Sequence, residues 1–143
     1  MLTIQSLDEL ARTMPFILES DLMNFAGGGG TTMKFNNRQE LENYLNSVIN
    51  CSCKEVTYVF YYDGKCAAYI DDKNTPYKSY LTLKESSSGY YYFPSEGASA
   101  VKEWGHTHPS GDPNASGTDN DDKNRYQGLP SSIYYNNGKY NYY

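Results

Sequence analysis

From Glu55 onward the hydrophobic period of the chain becomes two. Glu55-Val56-Thr57-Tyr58-Val59-Phe60-Tyr61-Tyr62 is followed by Asp63-Gly64 and then by Lys65-Cys66-Ala67-Ala68-Tyr69-Ile70. Both runs are rich in β-branched and aromatic residues, and the Asp-Gly pair between them suits the positive φ of a tight hairpin turn. The pattern predicts a β-hairpin in the middle of the chain, around which other elements must pack. Further strands are expected at 78–84, 90–93 and 100–107. A second hairpin is marked by Asn136-Asn137-Gly138-Lys139, between Ile133-Tyr134-Tyr135 and Tyr140-Asn141-Tyr142. Its last strand should close a sheet edge.

Ahead of the hairpin the period is helical. Leu7, Leu10, Ala11, Met14, Ile17, Leu18 and Leu22 recur at helix spacing after the cap candidate Ser6, with Pro15 expected to kink the element. The glycines at 27–30 read as a flexible break without the lysine of a phosphate loop. A second helix is expected from Asn37 to Asn50, with Leu41, Tyr44, Leu45, Val48 and Ile49 facing inward and Arg38, Glu40, Glu42 and Asn43 solvated. Residues 1–50 are therefore expected to form an N-terminal helical segment packing on a domain at 51–143. The fold class is α+β, a mixed sheet flanked by helices.

Mean hydropathy is -0.73, low for a chain with a core, but sixteen tyrosines supply apolar bulk that this index undercounts. A net charge of -5 argues against a nucleic-acid groove, which needs a basic face. No stretch is long and apolar enough to span a membrane, and Met1-Leu2-Thr3-Ile4-Gln5 lacks the basic start and apolar run of a signal peptide. The expectation is a protein that is cytoplasmic as made. Three cysteines, Cys51, Cys53 and Cys66, fit a reducing compartment and are expected to be ordinary thiols.

The chemistry concentrates in Gly105-His106-Thr107-His108-Pro109-Ser110-Gly111, followed by Ser116 and Asp119. If this stretch ends a strand, His106 and His108 emerge from one face and can present imidazoles to one ion. Pro109 and Gly111 force a turn, and Ser116-x-x-Asp119 has the form of a helix start with Ser116 as N-cap. Asp119 can then complete a His, His, Asp set that suits zinc and leaves a fourth position open, as catalytic zinc sites do. Asp121 and Asp122 are alternative ligands if the helix register slips. An H-x-H pair alone is also compatible with two hydrogen-bonded or solvent-facing histidines.

This spacing resembles the JAB/JAMM (MPN) metalloprotease signature. Together with Leu129-Pro130-Ser131-Ser132-Ile133-Tyr134 and Asn137-Gly138-Lys139, it is most similar to a JAB-related domain at the C-termini of bacterial RHS-type proteins. The likeness covers roughly residues 100–143, extends more weakly back to Glu55, and departs at Ala115, where the family usually has a bulky residue. It implies a JAB-type fold, zinc at His106, His108 and Asp119, and Glu55 as general base from an early strand across the metal. Glu85, Glu96 and Glu103 compete for that role, and Glu103 should point away from His106. Ser116 would stabilise the oxyanion. The implied activity is zinc-dependent hydrolysis of peptide or isopeptide bonds, with a protein or peptide substrate. The RHS likeness implies a toxin or effector delivered into a target cell by a secretion system, with a cognate immunity protein as partner. Two other readings stay open: a non-catalytic JAB-like interaction domain, and a metal-dependent hydrolase of another bond such as a phosphodiester.

Overall fold

The structure is a computed structural model describing residues 30–51 and 54–143. In chain order it runs β1 (Gly30–Phe35), α1 (Arg38–Asn50), β2 (Thr57–Tyr61), β3 (Cys66–Asp71), β4 (Lys84–Glu85), β5 (Tyr91–Tyr92), a 3-10 turn (Pro94–Glu96), β6 (Val101–Thr107), α2 (Gly117–Arg125), β7 (Ser131–Asn136) and β8 (Lys139–Tyr142). Six of the strands form one mixed sheet in the order β1-β3-β2-β6-β7-β8, while β4 and β5 make a separate small ribbon. The protein is α+β.

The central hairpin forms as its sequence dictates. β2 and β3 pair antiparallel with Tyr58 opposite Ala68 and Phe60 opposite Cys66, and Gly64 takes the positive φ that the turn needs. β2 also pairs antiparallel with β6, placing Thr57 opposite His106 and Val59 opposite Trp104. β6 and β7 are parallel, a pairing that needs a crossover, and α2 lies within that connection. β7 and β8 form the second hairpin, with β8 at one end of the sheet order.

Alternation divides the sheet into two buried faces. Val56, Tyr58, Phe60 and Ala68 point to one side, where Leu41, Leu45, Val48 and Ile49 of α1 cover them. α1 begins at the N-cap Asn37, whose side chain accepts the Glu40 N–H. Val59, Tyr61 and Trp104 point to the other side and pack with Leu83, Phe93, Tyr126 and Leu129 from the connecting segments. That second face carries the histidines.

Several expectations change. The helix expected at Ser6–Asn24 lies outside the described residues, as do the glycines at 27–29. Gly30, read as part of a break, begins β1. The strand expected at 78–84 is reduced to Lys84–Glu85. Side chains take backbone N–H groups there, Tyr80 N–H donating to Asn74 Oδ1 (3.1 Å) and Leu83 N–H to Tyr126 Oη (3.0 Å), which leaves little for a ladder. Arg38 is not simply solvated: it donates to Glu103 at 2.6 Å and stacks 3.9 Å from the centre of the Phe60 ring. Cys51 is disulfide-bonded rather than a thiol, whereas Cys66 is free and buried. Among the described residues, no helix is long and apolar enough to cross a membrane.

Candidate metal centre

β6 delivers both histidines to one place. Positions 104, 106 and 108 share the second face, and Thr107 between them points the other way, where its Oγ1 accepts the Val56 N–H at 2.9 Å. His106 and His108 are buried, with their Nε2 atoms 3.0 Å apart. After Pro109 the chain turns at Gly111, whose φ is +82°, and comes back as α2.

The start of α2 completes the cluster. Ser116 is its N-cap: Ser116 Oγ accepts the Asp119 N–H at 3.2 Å, and Asp119 Oδ2 accepts the Ser116 N–H at 2.8 Å. This reciprocal box fixes the Asp119 carboxylate against the imidazoles, with Oδ1 3.2 Å from His106 Nε2 and Oδ2 3.4 Å from His108 Nε2. His106, His108 and Asp119 thus present ligand atoms that all lie within 4.8 Å of one another. Asp121 and Asp122 do not join this group.

The donor set fits a tetrahedral ion. Ligands held at zinc distances sit about 3.3 Å from one another; the two Nε2 atoms are 3.0 Å apart and each faces one oxygen of the Asp119 carboxylate, at 3.2 and 3.4 Å. Tautomer chemistry agrees. His108 Nδ1–H donates to the Asp112 carbonyl at 2.8 Å, which leaves the Nε2 lone pair facing the cluster when the ring is neutral. Without a metal the groups of the cluster shift one another's ionisation. Burial alone would lower the His108 pKa, but hydrogen bonds to Asp119 and to the Asp112 carbonyl and the charges of Glu55 and Asp119 outweigh it and raise the pKa. Burial alone would raise Asp119, but hydrogen bonds from His106 and His108, the His106 charge and the Ser116 N–H hold its carboxylate well below the usual range.

Glu55 lies across from the histidines, one turn of the pleat beyond Thr57 on the same face. It is buried, and its Oε1 is 3.8 Å from His108 Nε2. Burial raises its pKa, the two imidazoles pull it back down, and the Asp119 charge pushes up again, with a net rise. The competing glutamates are placed elsewhere. Glu85 is exposed on β4, Glu96 pairs with Lys34 at 3.2 Å, and Glu103 is on the opposite face bound to Arg38.

A cavity of about 60 Å³ opens beside the cluster, lined by Glu55, His106, Ser116 and Asp119 together with Thr57 and Trp104. Sequence reasoning did not single out the last two, although Trp104 is the chain's one tryptophan and shares its face with His106 through the i, i+2 rule. Its ring lies 6.4 Å from the His106 ring at 28°. Tyr143 was also missed. It sets its ring edge-on to His106, and burial together with the charges of Asp119 and Asp122 raises its phenol pKa.

Comparison with family models, with curated proteins and with solved structures finds no match to this chain.

Proposed function

We propose that the protein is a zinc-dependent hydrolase of the JAB/JAMM type that cleaves peptide or isopeptide bonds. The observation that carries this reading is the meeting, on one buried face, of His106, His108 and Asp119 at metal-ligand separations with a buried Glu55 alongside.

His106, His108 and Asp119 would hold the zinc ion, which when bound would supply Lewis acidity toward water and a carbonyl. Everything else is assigned to the chain. Glu55, whose carboxylate is made more basic chiefly by burial, takes the proton of the attacking water and passes it to the leaving amine. Ser116 uses a lone pair to cap α2, so its O–H remains free to donate to the carbonyl oxygen as charge develops there. Trp104 and Thr57 wall the cavity and limit water around the reacting bond.

The substrate class rests on the sequence resemblance. That resemblance also supports an effector acting on a protein of a recipient cell, held in check by an immunity protein in the producer. The test is mass-spectrometric screening of peptide and isopeptide libraries with zinc-loaded wild type and Glu55→Gln. Cleavage by the wild type, reduced about a hundredfold to ten-thousandfold in a variant that keeps its zinc, is the expected result. Zinc-loaded wild type that cuts neither library would count against the reading.

A further inference from the structure

Glu55 precedes β2, whose first residue is Thr57, so strand pairing of β2 does not by itself fix where its carboxylate goes. Its backbone is instead held from two directions. On one side Val56 N–H donates to Thr107 Oγ1 and Thr107 N–H donates to the Val56 carbonyl, both at 2.9 Å. On the other side lies the excursion that follows β3. Glu55 N–H donates to the Thr75 carbonyl at 2.8 Å, and the Glu55 carbonyl accepts from Asn74 Nδ2 at 2.7 Å.

Asn74 is 3 % exposed, and both ends of its amide are engaged. Nδ2 binds Glu55, and Oδ1 accepts the Tyr80 N–H at 3.1 Å, while the Asn74 N–H donates to the Asp71 carbonyl at 3.0 Å. One side chain therefore ties the backbone of Glu55 to the irregular segment through Tyr80. That segment matters to the site: Lys78, Ser79 and Leu81 line the same cavity as Glu55 and His106. Asn74 itself neither lines the cavity nor belongs to the metal cluster. A buried amide committed in this way is costly to replace, because each lost partner leaves a desolvated group behind.

We infer that Asn74 is a positioning residue that sets the Glu55 carboxylate against His108 and holds the Ser79 wall of the cleft around it. The role given to Glu55 rests on the hydrolase reading above. The ligands come from β6 and α2, so loss of the clamp separates two properties: metal binding persists while the carboxylate is misplaced.

The chain has only two histidines, both in the site, so imidazole NMR signals report on Glu55 without any substrate. The experiment compares zinc-loaded wild type, Asn74→Ala, Asn74→Asp and Glu55→Gln by imidazole NMR and metal content. Asn74→Asp keeps the size and the acceptor for Tyr80 N–H but loses the donor to Glu55, so it serves if the alanine variant does not fold. The expected result is unchanged zinc content, with His108 ring signals displaced from wild type in the direction of Glu55→Gln. With any peptide the wild type cleaves, kcat falls about tenfold to a hundredfold at nearly constant KM. His108 signals at wild-type positions in a folded, zinc-loaded Asn74 variant would overturn the inference. Zinc uptake without peptide cleavage by the wild type would count against the hydrolase, while the histidine signals would still decide the role of Asn74.

Discussion

At His108, protons and the proposed metal would compete for the same nitrogen. In the metal-free chain its pKa is raised above 6.5, so the stability it contributes is fully present below the unfolded value and is lost as pH rises through the folded one. Asp119 has the opposite sign. Its depressed pKa gives stability that is present above the ordinary carboxylate range and lost as pH falls through the lowered value. The metal-free cluster is thus most stabilising between these limits, whereas zinc requires neutral imidazoles. The gain in melting temperature on adding zinc should therefore grow between about pH 5.5 and about pH 8, across the range where histidine titrates. A gain that does not change with pH would argue that the imidazoles are not ligands. Next to His106, Gly105 has a separate constraint. A Cβ there would collide with the Tyr58 ring and hydroxyl and with the Ser132 carbonyl, because Tyr58 lies across Gly105 to reach Ser132 Oγ at 2.8 Å. Gly105→Ala should cost about 1–3 kcal/mol in denaturant unfolding, the usual range for overpacking.

Of the two described helices, α2 has the less to hold it in place. Its sequence, Gly117 to Arg125, is polar throughout and buries no residue, so the capping box and the cluster at its N-terminus do much of what a packed face does for α1. Ser116→Ala should cost about 1 kcal/mol through loss of the cap and, under the proposed hydrolase function, slow peptide cleavage as well. Amide exchange in α2 should be fast without zinc and protected with it; equal protection in both states would mean that the ion does not engage Asp119. The start of α2 was legible because Ser-x-x-Asp is a local signal that needs no tertiary partner. The same holds for the two hairpins, which announce themselves by Asp63-Gly64 and Asn137-Gly138. β1 was not legible, because Gly30–Phe35 is short and follows a glycine run that reads as a break. The segment at 78–84 has strand-like composition, but Asn74 and Tyr126, distant in sequence, claim its N–H groups and prevent a ladder.

Over the whole molecule, the two faces of one sheet divide the tasks. One face joins α1 to the sheet through leucines, tyrosines and the Arg38–Glu103 pair, and the other holds the cavity and the candidate ligands. The i, i+2 rule was enough to put His106 and His108 together and to send Glu103 away from them. The place of Glu55 was not derivable that way, since it lies ahead of β2 and its backbone is held by Asn74 and Thr75, distant in sequence, and only the family resemblance pointed to it. Arg38 was misread because an arginine on the polar edge of a helix gives no hint of a buried partner 65 residues away. That the cluster of His106, His108 and Asp119 holds zinc is the proposal on which the rest depends. Elemental analysis of the purified protein beside a His106→Ala, His108→Ala double variant tests it most directly. About one zinc per wild-type chain and none in the variant is the expected result, as a three-ligand site cannot survive on one carboxylate. A wild-type protein that takes up no zinc, even after incubation with the metal, would contradict it.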